Sequence, residues 1–265
     1  MTTELELDRS DSLNLRASGG VHQPFLTSLL PKLVFEGSSV VDIGAHIGYF
    51  TVLFSGLAGP KGTVLAYEPA PVTFRTLKEN LAKNNCKNAI AVKMAVGAKT
   101  TVEKLYLCPE NIGDNRLFDS NGRAWLAVDA VKLDDALLHL DHIDLIKVDV
   151  QGFEGFVFQG AQQIVLLMTR RIVFEFWPTG LEKSGFGARR TLNLLQDAGF
   201  GFFDLREAEG KVVPVTAEEL MERYKPRADD NPDSIRQEDF TDVLAMREPV
   251  EEIMEMISEA QNPLP

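Results

Sequence analysis

Cysteine is nearly absent: Cys86 and Cys108 are the two in 265 residues. They cannot form a disulfide framework, and neither has the C-x-x-C or Cys/His spacing of a metal site, so both read as reduced thiols of a cytoplasmic protein. Long apolar runs are missing as well. Residues 1–18 are polar and acidic, without the apolar stretch of a signal peptide. The run Ile164 to Met168 falls far short of the ~20 residues that cross a bilayer. Positive charge is short too, with 27 Lys and Arg against 39 Asp and Glu, a net charge of −12. That balance argues against a nucleic-acid backbone or an acidic membrane as partner. The deficit is uneven: residues 204–265 hold 17 acidic and 7 basic residues, a net of −10, which leaves −2 for the first 203. No repeat or low-complexity tract is present.

What the chain does have is apolar content, 45% of residues, enough to bury a substantial core. Residues 1–20 read as a loose leader, 21–248 as one domain, and 249–265 as a terminal amphipathic helix and tail. Apolar runs with strand character at 39–43, 62–68, 89–96, 143–150, 171–177, 200–205 and 242–246 alternate with stretches of helical spacing at 22–35, 49–57, 72–84, 154–167, 188–198 and 216–224. Strands alternating with helices predict a largely parallel α/β sheet with helices on both faces. Thr216 and Glu219 have the spacing of a capping box. Residues 109–123 are polar and turn-rich and read as a loop over the ligand crevice, and 225–240 as a long charged loop.

The stretch that organises the chain is Val40-Val41-Asp42-Ile43-Gly44-Ala45-His46-Ile47-Gly48-Tyr49-Phe50-Thr51. A buried strand breaks at Gly44 and resumes as a helix, the start of a βα unit. Glycine at Gly44 and Gly48 lets backbone approach a ligand at the helix N-terminus. A dinucleotide fingerprint has G-x-G-x-x-G; here the order is D-x-G-x-x-x-G. A carboxylate in that place repels pyrophosphate and suits an amino group or a cation. S-adenosylmethionine, with an ammonium and a sulfonium and no phosphate, therefore fits better than NAD. Twenty residues after Gly48, Glu68 ends the second strand, where α/β nucleotide binders hold a ribose diol.

These stretches, with Ala66-Tyr67-Glu68-Pro69, Ala95-Val96-Gly97 and Ile146-Lys147-Val148-Asp149-Val150-Gln151-Gly152-Phe153-Glu154, resemble the FkbM family of S-adenosylmethionine-dependent methyltransferases over about residues 36–178. Gln151 departs from that family's usual Glu. The resemblance implies the class I methyltransferase (Rossmann-like) fold, a seven-stranded mostly parallel sheet whose last strand is antiparallel. It also implies O-methylation of a hydroxyl on a small molecule such as a sugar or polyketide-type natural product. Non-catalytic donor binding and NAD-dependent oxidoreduction are the rival readings.

The donor is expected against Asp42, Gly44, Ala45, Gly48 and Glu68, with Ala95 and Val96 near adenine. Asp149 and Glu175, at neighbouring strand tips, are the candidate catalytic acids. As oxygen donors they are also the candidate ligands of a Mg²⁺ ion that would acidify the acceptor. His46 is a third catalytic candidate. Asn115 and Arg116 are the candidates for contact with a hydroxylated acceptor, and Trp177 and Tyr224 are candidate walls of its site.

Overall fold

The computed structural model describes residues 21–119, 122–163, 165–225 and 239–247. The leader expected over 1–20, the helix and tail expected over 249–265 and most of the loop expected over 225–240 lie outside these residues. In chain order the elements are α1 (Pro24–Leu33), β1 (Ser39–Ile43), α2 (Tyr49–Ala58), β2 (Thr63–Tyr67), α3 (Pro71–Lys83), β3 (Ala89–Val92), β4 (Ala95–Gly97), β5 (Thr101–Tyr106) and β6 (Trp125–Lys132). They continue with α4 (Leu133–Ala136), β7 (Ile143–Val148), α5 (Glu154–Gln159), α6 (Val165–Met168), β8 (Thr169–Phe176), α7 (Pro178–Lys183), α8 (Ala188–Asp197), β9 (Gly201–Arg206), β10 (Lys211–Val215), α9 (Ala217–Arg223) and β11 (Thr241–Met246).

The main sheet runs β10-β9-β11-β8-β7-β1-β2-β3. β1 pairs in parallel with both β2 and β7, and β11 is antiparallel to β8 and β9. β1 is buried along its whole length, as a strand covered on both faces must be, which is why it reads as a continuous apolar run rather than an alternating one. The helices supply that cover. α8 turns Ala188, Thr191, Leu192 and Leu195 inward at helical spacing. Phe50 and Phe54 of α2 pack with Leu26, Leu29, Leu30 and Leu33 of α1 on the opposite side.

Three departures from the sequence reading have local causes. The seven expected strands are present, and β10 adds an eighth by folding back antiparallel on β9. It carries Pro214, a residue that an edge strand tolerates. The single strand expected over 89–96 divides at Lys93: β3 ends the main sheet, and β4 leaves it to pair with β6 in a small β4-β6-β5 sheet. Pro178 stops β8 as expected and also opens α7, occupying the first helical turn, where its missing N–H costs nothing. The capping box on α9 is formed as the Thr216 and Glu219 spacing predicts.

The carboxyl ends of β1, β2, β7 and β8 gather at one edge of the sheet, together with the first residues of β11. β1 is the switch point from which the order runs outward both ways, the place where open α/β sheets leave a ligand crevice.

Candidate active site

The turn after β1 is built by two glycines in the left-handed region. Gly44 has φ +80, and a β-carbon on it would fall 1.9 Å from the Asp149 carbonyl oxygen. Gly48 has φ +92, and its β-carbon would meet Leu77 Cδ1 at 2.6 Å. Both glycines also make room for protein, seating the turn on the end of β7 and α2 on α3, and of the two Gly44 lines the cavity described below. Gly48 is not on the cavity wall.

The amides of this turn are already committed. Gly44 and Ala45 both donate to the Tyr67 carbonyl at 3.0 Å, His46 donates to Glu68 Oε2 at 3.0 Å, and Gly48 to the Ala45 carbonyl at 2.8 Å. A pyrophosphate needs such donors turned outward. The turn directs these four inward, so the dinucleotide reading fails on geometry.

A cavity of about 1000 Å³ opens at this edge. Asp42, Gly44, Ala45, His46, Glu68, Ala95 and Val96 all line it, as do Asn115, Asp149 and Glu175. Asp42 accepts from Thr51 Oγ1 at 2.6 Å through Oδ2, while Oδ1 is buried without a hydrogen-bond partner among the described residues. Burial raises the Asp42 carboxyl, against the opposing pull of Lys147. Glu68 accepts from His46 N and Ala70 N, one on each oxygen. Burial still pushes it up to about 7. Ala95 and Val96 reach the wall from β4 in the small sheet, not from the tip of β3.

The other half of the cavity is a network of acids around one lysine. Lys147 is 3% exposed, with Nζ 3.2 Å from Asp149 Oδ2 and 4.7 Å from the Phe50 ring centre. Burial alone would lower its ammonium, but Asp149, Asp42 and Asp242 reverse that and raise it. Burial would likewise raise Asp149, but Lys147 and Gln151 hold it below the ordinary carboxylate range. Gln151, at φ +54, donates from Nε2 to Asp149 Oδ1 at 2.9 Å and to Glu175 Oε2 at 3.2 Å. An amide bridges these two acids where a glutamate would set a third like charge between them. Glu175 is raised well above its usual value by burial and by Asp149, Glu154 and Asp242.

This network corrects the Mg²⁺ expectation. The cation beside Asp149 is the Lys147 ammonium, and an amide rather than a metal joins Asp149 to Glu175. Among the described residues no group of three or more His, Cys, Asp or Glu side chains is placed to hold a metal ion.

Arg116 is also corrected. Its side chain is fully buried, 2.6 Å from Asp114 Oδ1 and stacked 4.8 Å from the Trp177 ring centre. Asp114 also pairs with Arg123 at 2.7 Å. The arginine therefore holds the 111–116 loop from beneath and does not line the cavity, and Trp177, 2% exposed, is its platform rather than an acceptor wall. Asn115 does line the cavity, with its side-chain oxygen accepting from Cys108 N at 2.9 Å. Tyr224 lines it too, its hydroxyl donating to Asp204.

Four wall residues escape a reading of the sequence: His22, Gln23, Lys147 and Asp242. Lys147 carries a signal, being a lysine inside a β-branched run destined for burial. Burial and then Lys147 push the His22 imidazole down to about 4, so it is neutral. Burial pushes Asp242 up to about 7 although Lys147 opposes it.

The strand order, with its antiparallel last strand and a crevice at the carboxyl edge, is the class I methyltransferase fold. Residues 42–202, more than half of the chain, match the model of the methyltransferase FkbM domain, and the chain belongs to this family of S-adenosylmethionine-dependent methyltransferases. It is 28% identical to methyltransferase sdnD of Sordaria araneosa, over 61% of this chain and 73% of that one. Methyltransferase 1 of Beauveria bassiana is likewise 28% identical, over 62% of this chain and 73% of its own length. The 31-O-demethyl-FK506 methyltransferase FkbM of Streptomyces tacrolimicus is 36% identical over 28% of each chain. Among the described residues no helix is long and apolar enough to cross a membrane.

Proposed function

We propose that the protein transfers the methyl group of S-adenosylmethionine to a hydroxyl oxygen of a small molecule, such as a sugar or polyketide-type natural product. The observation that carries this reading is the continuous cavity of about 1000 Å³ that joins the β1 turn to the acids at the tips of β7, β8 and β11. The name of the Streptomyces relative specifies an O-demethyl acceptor, which supports oxygen as the methylated atom.

The residues fit the donor. Asp42 Oδ1, buried without a partner among the described residues, is an acceptor left open for an ammonium. Glu68 Oε1 and Oε2 each accept one backbone N–H and keep lone pairs for two ribose hydroxyls. Ala95 and Val96 give an apolar side for adenine, and Gly44 and Ala45 border the methionine part. When bound, the donor supplies a methyl carbon activated by a positive sulfur. The chain's own part is to align the acceptor oxygen with that carbon, exclude water and take up a proton, and alignment contributes more than the base does. Asp149 and Glu175 face the acceptor region, His46 lies on the donor turn, and Asn115 reaches it from the 111–116 loop. A cytoplasmic setting, with both cysteines free, belongs to the same reading.

Titration calorimetry with S-adenosylmethionine tests the donor site: Asp42→Asn and Glu68→Ala are expected to weaken binding at least tenfold, and wild-type affinity in both would reject it. Incubation with hydroxylated acceptors, followed by NMR of the product, tests the transfer. A methyl ether supports it. Donor binding with no methylated product from a broad panel would favour a donor-binding module instead.

A further inference from the structure

Glu175 and Asp242 are register partners across the antiparallel pair of β8 and β11, so their side chains leave the sheet on the same side. Both line the cavity. Each is gripped at one oxygen by a glutamine amide, Glu175 Oε2 by Gln151 at 3.2 Å and Asp242 Oδ2 by Gln23 at 2.7 Å. Both glutamines sit at positive φ, +54 and +42, a conformation that a residue with a side chain keeps only where its surroundings fix it. The remaining oxygens, Glu175 Oε1 and Asp242 Oδ1, accept no hydrogen bond among the described residues. Asp242 is 7% exposed, a buried carboxyl with an open oxygen on the cavity wall. Asp149 is built differently, since Lys147 and Gln151 occupy both of its oxygens.

We propose that Glu175 and Asp242 act as a carboxyl pair sharing one proton, and that Asp242 Oδ1 receives the proton of the acceptor hydroxyl. The proposal rests on the O-methylation reading above. In the step, the acceptor oxygen forms a bond to the methyl carbon as the methyl–sulfur bond breaks and its electron pair stays on sulfur. The hydroxyl proton moves to the ionised carboxyl of the pair, and charge balances because the positive sulfur becomes neutral.

The surroundings favour one proton over none or two. Lys147 of β7 attracts the ionised form, whereas Asp149 just after β7, Glu154 of α5 and Glu207 after β9 oppose it, and His22 is neutral. Two buried carboxyls at directly opposed positions of adjacent strands repel each other when both are ionised, which favours one proton on the pair. The pair is thereby a base matched to near-neutral pH, while Asp149, held ionised by Lys147, is a weaker one.

Two measurements test this on the full chain. The first needs no acceptor: infrared titration of the carboxyl C=O band, with S-adenosylhomocysteine present. The wild type should show a protonated carboxyl titrating near pH 7. Asp242→Asn and Glu175→Gln should each remove one carboxyl's share of that titration, the part left being that of Glu68 and Glu154, while keeping donor affinity, which shows that they fold. An unchanged titration in Asp242→Asn overturns the pair. The second measurement is methyl transfer to methyl β-D-glucoside and to a macrolide bearing free hydroxyls. There kcat should rise with pH through about 7 in the wild type, and Asp242→Asn should lose that rise together with roughly 10²- to 10⁴-fold in kcat. A methyl ether formed with the wild-type pH profile in Asp242→Asn overturns the assignment. A methyl group found on an atom other than oxygen overturns the O-methylation reading and leaves the infrared result to judge the pair.

Discussion

A β-carbon on Gly44 would lie 1.9 Å from the carbonyl oxygen of Asp149. The turn after β1 and the tip of the neighbouring strand are thus in backbone contact, so one packing event sets this part of the cavity wall. Gly44→Ala forces the two strands apart and also meets an unfavourable φ. Gly37→Ala isolates the second effect, since Gly37 has φ +89 and a β-carbon there would meet nothing within 4 Å. Gly37→Ala should cost about 1 kcal/mol and leave donor binding intact. Gly44→Ala should cost more than about 3 kcal/mol and abolish donor binding, as measured by thermal unfolding and calorimetry. Equal losses in the two variants would show that the contact with Asp149 does not matter.

Lys147 and Asp149 form the ion pair on which the acid network depends. Replacing the lysine by methionine leaves Asp149 partly buried with only the Gln151 amide beside it. Breaking a buried pair at one partner costs roughly 3–5 kcal/mol, much of it the desolvation of the remaining charge. The sign with pH follows from Asp149. Its carboxyl is depressed in the folded state, so its contribution is present above its unfolded pKa and lost as pH falls through the folded one. Lys147→Met should therefore destabilise strongly at pH 7 and less at pH 3.5. Adding Asp149→Asn should recover part of the loss at pH 7, and a double mutant merely additive in thermal unfolding would deny the coupling.

Much of this is legible in the residues. β1 has the bounds that its apolar run indicates, and Asp42, Glu68, Asp149 and Glu175 reach one cavity because acids at the ends of parallel strands must share an edge. The remainder is set by distant pairing. Ala89 to Val96 is one β-prone run, and only the partner strands decide that Val92 ends one sheet and Ala95 begins another. Asp242 lies about 70 residues beyond Glu175, and no local pattern signals that an antiparallel strand will set the two side by side. Arg116 misleads for a general reason: an arginine in a polar loop reads as exposed unless its partners, here Asp114 and Trp177, are known.

Arg116 supplies a direct test of that correction. A guanidinium paired with Asp114 and stacked on Trp177 holds the loop, so Arg116→Ala should lower stability by roughly 3–5 kcal/mol by leaving Asp114 with Arg123 alone. Donor affinity should stay within about threefold of wild type, because the donor turn lies on other elements. If stability were unchanged while KM for an acidic acceptor rose and that for a neutral one did not, the side chain would be an acceptor contact after all.

The raised acids make stability itself depend on pH. Burial pushes Glu68, Glu154 and Asp242 up to about 7 and raises Glu175 well above its usual value. A carboxyl raised in the folded state keeps its proton there after the unfolded chain has lost its own, so stability falls as pH rises from the unfolded value toward the folded one. For Glu154, moved from 4.5 to about 7, the fall amounts to at most about 3 kcal/mol. Thermal unfolding without donor should show a higher Tm near pH 5.5 than near pH 8. Glu154→Gln is the cleanest probe. Its Oε1 accepts from Val150 N and Gly152 N, an arrangement a glutamine oxygen reproduces, and its Oε2 has no partner among the described residues. The variant should unfold with a flatter dependence on pH than the wild type, gaining relative stability above pH 7 and none at pH 5. A wild-type Tm that climbs between pH 5.5 and pH 8 would mean that these carboxyls are solvated in the folded protein, and that this edge of the sheet is wetter than their burial indicates.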